Sequence, residues 1–116
     1  MTTQEKGDLA EEKAAGYLKT SGYLILERNY RSKLGEIDII AQDGETVVFV
    51  EVRSRARSSF GLPQETVGYW KQHRILMTAM IYAQRKRLDC PMRFDVIAFA
   101  GDALEHIPGA FGAEGF

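Results

Sequence analysis

Three carboxylates interrupt an otherwise apolar stretch, GEIDIIAQDGETVVFVEVR at residues 35–53: Glu36, Asp38 and Glu51. Arg53 follows the last of them by two residues. An unpaired buried carboxylate costs roughly several kcal/mol even after relaxation, so these acids require a cationic neighbour. Two chemistries meet that requirement. In the first, Arg53 or another basic side chain neutralises the acids in a structural ion-pair network. In the second, a divalent cation of the Mg2+ or Mn2+ type takes carboxylate and water oxygens and keeps open positions for a phosphate. Two carboxylates with a cation in the order E-V-R suit phosphodiester hydrolysis. The metal polarises the phosphate and lowers the pKa of a bound water, and the side-chain cation orients that water or stabilises the pentacoordinate charge.

Positioning these groups calls for a hairpin. If Asp43-Gly44 forms a two-residue turn, Gln42 pairs with Glu45, Glu36 faces Glu51 and Asp38 faces Phe49. Glu36, Asp38, Ile40, Val47, Phe49, Glu51 and Arg53 then share one side of the sheet. Ile37, Ile39, Ala41, Val48, Val50 and Val52 share the other. Both sides are apolar beyond the turn, so both should be covered.

The flanking segments supply the covers. Ala10, Ala14, Tyr17 and Leu18 recur at helical spacing and predict a helix from about Gln4 to Ser21, with Glu11 at the edge of the apolar face and Glu12 on the far side. Residues 23–30 read as a first strand, 54–64 as a loop, and Pro63 as the lead into a helix from about Glu65 to Arg87. Val67, Trp70, Met77 and Ile81 form the expected apolar stripe of that helix, which makes Trp70 a core residue. Met92–Ala100 is a further strand and Leu104–Ile107 a short last one, before a Gly-rich tail from about residue 109. The order αβββαββ implies one α/β domain over residues 1–116, a mixed or largely antiparallel sheet flanked by helices.

Composition narrows the function classes. With 45% apolar and 27% charged residues in 116, the chain belongs with compact single domains and not with disordered tails. The net charge of −1 does not advertise a polyanionic partner, yet basic residues cluster at Arg28, Arg31 and Lys33, at Arg53, Arg55 and Arg57, at Lys71, His73 and Arg74, and at Arg85, Lys86 and Arg87. A lone cysteine, Cys90, excludes an intramolecular disulfide and a multi-cysteine zinc site. The acidic N-terminus lacks the pattern of a signal peptide, and no apolar run approaches the ~18 residues of a membrane span, so a cytoplasmic, membrane-free protein is expected.

Glu11 in a first helix, GEIDII at 35–40, FVEVR at 49–53, FGLP at 60–63, RFDV at 93–96 and HIPGAF at 106–111 together resemble the YraN family of bacterial proteins. That family is similar in turn to Holliday-junction resolvases of the PD-(D/E)xK nuclease superfamily. The resemblance implies a restriction endonuclease-like αβββαβ core and a divalent-metal-dependent endonuclease acting on DNA, branched or structured DNA included. It implies Asp38 and Glu51 as ligands of Mg2+ or Mn2+, Glu11 as a third acidic contributor, and Arg53 in the place of the catalytic lysine.

Arg53 departs from the superfamily pattern, because a guanidinium is bulkier than an ammonium and cannot lose its proton. Lys71 on the long helix is a stand-in, against the competing reading of a solvated surface lysine. Arg28, Arg31, Lys33, Arg55, Arg57 and Lys71 are the candidate phosphate contacts, and Tyr69, Trp70 and Phe60 would stack on bases if exposed. Glu36 is expected to bind an arginine such as Arg28 or to reach the metal through water. Two rivals stand beside the nuclease: a nucleic-acid-binding module without catalysis, and an interaction domain with internally paired charges. A homodimer is left open.

Overall fold

The computed structural model describes residues 2–55 and 67–112. Helix α1 (Thr3–Thr20) begins where Thr2 and Glu5 close a capping box: the Glu5 N–H donates to the Thr2 hydroxyl at 3.1 Å, and the Thr2 N–H to the Glu5 carboxylate at 3.4 Å. Five strands follow in chain order across one sheet: β1 (Leu24–Arg31), β2 (Glu36–Asp43), β3 (Thr46–Arg55), β4 (Met92–Ala100) and β5 (Ala103–Phe111). The β3–β4 pair is parallel and the other three are antiparallel. A parallel pair needs a crossover, and helix α2 (Tyr69–Lys86) lies within it. The mixed α/β architecture matches the expectation.

Each helix covers one face. Ala14, Ala15 and Leu18 of α1 pack with Ile39, Ala41, Val48, Val50 and Ile97. Ile75, Ala79 and Tyr82 of α2 pack with Ile40, Val47, Phe49 and Val96 on the opposite face. The two-sided burial predicted from the apolar hairpin is therefore present, and burying both faces is what a sheet sandwiched by helices requires.

Five expectations are corrected. The β2–β3 register places Asp43 opposite Thr46 and Ile39 opposite Val50, so the turn is Gly44-Glu45 and not Asp43-Gly44. Gly44 has φ +61°, the conformation that the first turn position of this hairpin class demands. The slip is two residues, an even number, so every hairpin side chain keeps its face. One exception is Ile37, which packs with Ile40 on the α2 side although Ile39 lies on the α1 side. Alternation thus breaks at Asp38.

Helix α2 starts at Tyr69 with Gly68 extended at its N-cap (φ −65°, ψ 162°), so Val67 precedes the helix instead of lying on its stripe. Phasing from Val67 misplaces the apolar face. The buried positions are Ile75, Leu76, Thr78, Ala79 and Tyr82, and Trp70, about 140° round the axis from Ile75, is 75% exposed. Trp70 is a surface residue.

The last strand runs through Phe111, four residues past its expected end and into the expected tail. A buried polar cluster fastens it. Asp95 of β4, wholly buried, accepts from Arg93 Nε at 2.8 Å, Arg93 Nη2 at 3.0 Å and the Gly109 N–H at 3.0 Å, and lies 2.7 Å from His106 Nε2. His106 Nδ1 is 3.0 Å from the Tyr17 hydroxyl, which ties α1 to β5. Phe111 stacks on Phe94. The RFDV and HIPGAF segments are thus joined in space. Burial pushes the Asp95 carboxyl up, but its hydrogen bonds with His106, Arg93 and the Gly109 N–H outweigh that and hold it below the usual range.

Candidate active site

Asp38 and Glu51 meet at the open end of the β2–β3 hairpin. The β2–β3 pairing stops at Ile39 opposite Val50, one step short of Asp38 opposite Glu51. At that step the Val52 N–H donates to Asp38 Oδ2 at 2.8 Å, so a side chain takes over from the strand ladder. On its other side Asp38 neighbours the position of Asn29, between the pairs Arg28–Ile39 and Tyr30–Ile37, and Asn29 has φ +53°. A left-handed residue in a strand is uncommon, and asparagine tolerates it better than most. The irregularities at Asn29 and at Asp38 coincide.

Because the alternation breaks there, Asp38 opens to clefts on both sides of the sheet. One is lined by Glu36, Asp38, Glu51, Lys71, Arg74 and Gly35 and faces α2. The other, beside α1, contains Glu11, Asp38, Glu51, Arg53 and Lys71, with a volume near 360 Å³. Every residue that the resemblance assigns to catalysis lines this second cleft. Glu12 does not: it is exposed and bound to Arg28 Nη1 at 2.8 Å. The sequence-based choice of Glu11 over Glu12 follows from the same helix geometry.

The electrostatics are those of crowded acids. Glu51 is 4% exposed, and burial, then the charge of Asp38, push its carboxyl up to about 7. Asp38 is also pushed up, chiefly by burial, although the Val52 N–H and Lys71 pull the other way. Burial and Asp38 raise Glu11 as well, and its Oε1 is buried with no hydrogen-bond partner. Neighbouring carboxylates that cannot all ionise together hold a proton between them.

Two cations approach Glu51 Oε1: Lys71 Nζ at 2.9 Å and Arg53 Nε at 3.7 Å. Lys71 makes the closer contact. It is not the freely solvated lysine that competed with the stand-in reading, since its ammonium is seated on a buried carboxylate. Arg53 Nε is buried without a hydrogen bond, within charge range but too far for contact. Glu36 pairs with Arg31 Nε at 3.5 Å, not with Arg28.

The expected phosphate contacts are dispersed. Arg28 is engaged by Glu12 and Arg31 by Glu36, while Lys33 is exposed. Arg55 closes β3 and only its backbone is described; Arg57, together with Phe60 and the FGLP segment, lies outside the described residues. Sequence reasoning gave no site role to Asn29 or Gly35, and it noted Arg74 only as one of the basic cluster Lys71, His73 and Arg74. Arg74 lines the α2-side cleft and donates from Nε to the Leu34 carbonyl at 3.2 Å. Gly35 lies so close to α2 that a Cβ there would meet Thr78 Oγ1 at 3.1 Å and the Arg74 carbonyl at 3.2 Å.

Comparison with known proteins gives this arrangement a family. The profile of the uncharacterised protein family UPF0102 matches residues 10–99, which takes in Glu11, Asp38, Glu51, Arg53 and Lys71. The chain belongs to the UPF0102 family. This is the family expected from the motifs, that of the YraN proteins. A UPF0102 protein of Syntrophus aciditrophicus is 53% identical over 110 residues, covering 90% of this chain and 87% of that one. UPF0102 proteins of Persephonella marina and Thermodesulfovibrio yellowstonii are 45% and 44% identical, covering 91% and 96% of this chain and 92% and 99% of theirs. Among the described residues of this chain no helix is long and apolar enough to cross a membrane.

Proposed function

We propose that this UPF0102 protein is a divalent-metal-dependent, endonuclease-like phosphodiesterase that acts on DNA, branched or structured DNA included. The observation that carries the reading is the pair Asp38 and Glu51, two carboxylates pressed together in a cleft, with Glu51 pushed up to about 7 and an ammonium seated on it. Perturbed acids in a cleft with a specific charge partner are the physical mark of a working site.

The donor set fits Mg2+ or Mn2+ at the level of two ligands. Such ions are commonly held by one or two carboxylates, with water and substrate phosphate oxygens completing the shell. Among the described residues no three His, Cys, Asp or Glu side chains converge on one metal position. Asp38 and Glu51 would therefore be the direct holders, and Glu11, with its unpartnered buried oxygen, would act on the shell through water. Bound there, the ion would polarise the phosphate and generate a hydroxide near neutral pH.

The chain's own groups then have separable roles. The Val52 N–H fixes the Asp38 carboxylate in orientation. Lys71, the nearer cation, takes the part of the superfamily lysine: its compact ammonium orients the attacking water, which the bulkier Arg53 guanidinium, farther from Glu51, does less well. Arg53 adds fixed positive charge as negative charge builds on the phosphate. Arg31, Lys33 and Arg74 hold backbone phosphates farther out, with Arg28, Arg55 and Arg57 as further candidates.

The Lys71–Glu51 contact also favours a second reading, a domain whose acids are neutralised internally and whose cleft has no catalytic task. Cleavage of duplex, single-stranded and four-way-junction DNA with Mn2+ at pH 8 separates the two. The enzyme reading requires cleavage that is abolished by Asp38→Asn and by Glu51→Gln, and lowered more by Lys71→Ala than by Arg53→Ala. Salt-sensitive binding without cleavage leaves a binding module; no binding even at low salt leaves the internally paired domain.

A further inference from the structure

Trp70 stands beside the site described above and takes no part in it. It is 75% exposed, an unusual position for the largest apolar side chain, and it stands one residue before Lys71. Its ring meets Tyr69 edge-on at 5.5 Å and His73 edge-on at 6.5 Å, so both contacts are made perpendicular to a neighbour and neither is a stacked one. On the helix Arg74 lies between Lys71, three residues back, and Trp70, four residues back. Trp70, Arg74 and Lys71 therefore form one continuous strip that leads from an exposed indole to the buried carboxylates.

The charge around the indole identifies its occupant. Exposed Tyr69 adjoins the indole, and the other neighbours on the strip are cationic, Lys71 and Arg74, with Arg74 tied to the carbonyl of exposed Leu34 beside exposed Lys33. An exposed π-surface set among cations matches a ligand that alternates flat aromatic rings with negative charges. Nucleic acid strands have that construction, and stacking on an aromatic side chain is available only to bases that are not buried in a duplex.

We infer that Trp70 is a stacking platform for an unpaired nucleobase of the DNA strand whose backbone crosses Arg74 and Lys71. This rests on the DNA-directed reading of the site and refines it: the preferred substrate has single-stranded character next to the scissile phosphate. A fully paired duplex lacks the base to offer.

Trp70 is the only tryptophan of the chain, so it reports on its own role. The experiment titrates the full-length protein with a 12-nucleotide oligo(dT) and with a blunt duplex, with Ca2+ replacing Mg2+ to suppress cleavage. Tryptophan emission and the anisotropy of labelled DNA are both recorded. The expected result is quenching by oligo(dT), about tenfold weaker oligo(dT) binding in Trp70→Ala, near-normal binding in Trp70→Phe, and duplex binding unchanged by either substitution. DNA binding seen by anisotropy, with emission unmoved and Trp70→Ala equal to wild type, overturns the stacking inference and leaves the nuclease-like reading standing. Absence of binding to any DNA overturns both. A blue shift of emission that grows with protein concentration and without DNA makes Trp70 a seat for a second copy and likewise overturns the inference.

Discussion

Glu51→Gln tests the charge state of the site without any substrate. The folded protein holds the Glu51 carboxyl at about 7 against an ordinary 4.5, so between those values the folded state binds more protons than the unfolded chain. The sign is fixed by that difference: stability is greatest below about pH 4.5 and is lost as pH rises through about 7. Once ionised, the carboxylate costs the fold roughly 3 kcal/mol relative to its neutral form. Glutamine has nearly the same shape and never ionises. Part of the gain is offset because Lys71 loses its partner, although that side chain is 44% exposed and returns readily to water. A net stabilisation of about 1–2 kcal/mol is expected at pH 8, which for a domain of this size raises Tm by roughly 5–10 °C. At pH 4 the carboxyl is neutral in the folded protein and largely neutral in the unfolded chain, and the two proteins should melt nearly together. Circular dichroism melts in EDTA at the two pH values measure both differences. If Glu51→Gln lowers Tm at pH 8, the ionised Glu51–Lys71 pair is a stabilising salt bridge and the argument from crowded acids is refuted.

Three further outcomes follow from the same geometry. Millimolar Mg2+ or Mn2+ should raise Tm at pH 8 and do so less at pH 5, where protons compete for the carboxylates; Asp38→Asn should abolish the shift, and an equal shift in that variant would move the ion elsewhere. Arg53→Lys should leave Mn2+-supported cleavage within about twofold of wild type, because Lys71 already takes the lysine's part, with DNA affinity little changed because the charge is retained; a tenfold rise would return that part to position 53. Asp95→Asn should lower the urea midpoint by an amount equivalent to about 3–5 kcal/mol, since it breaks a buried pair with Arg93 and His106; because Asp95 is held below its usual range, its stabilisation is present above about pH 4 and fades only as pH falls through the folded value.

What the sequence discloses here is periodicity and chemistry; what it hides is phase. The bounds of β4, Met92–Ala100, are legible because a continuous apolar run has one way to lie in a doubly covered sheet. The faces of Asp38 and Glu51 are legible although the turn is misplaced, because either choice puts Gly44 in the turn and the two registers differ by an even step. The exposure of Trp70 is not legible, since it depends on where α2 begins, and the extended Gly68 that sets this follows a segment without periodicity. Nor is the seating of Lys71 on Glu51, which the crossover brings together across 20 positions of sequence. The break of alternation at Asp38 is equally silent: Ile37 and Ile39 are the same residue type, and only packing sends them to opposite faces. Asn29 is the one clue, an asparagine in a run of strand-forming residues.

Gly35 carries no charge, donates nothing to the cleft from a side chain, and yet gauges its width. Its missing methyl leaves the entry of β2 resting almost directly on the backbone of α2 at Arg74. A helix moves as a rigid rod over a turn or two, so the separation set at Arg74 is inherited by Lys71 one turn earlier. Spacing between cation and carboxylate is then a mechanical dimension of the scaffold, fixed by a shim of zero thickness. Alanine at this position would act as the thinnest spacer available, shifting Lys71 relative to Glu51 while leaving every ionisable group in place. A site of this kind can be tuned by volume as well as by charge, and by a residue that takes no part in its chemistry.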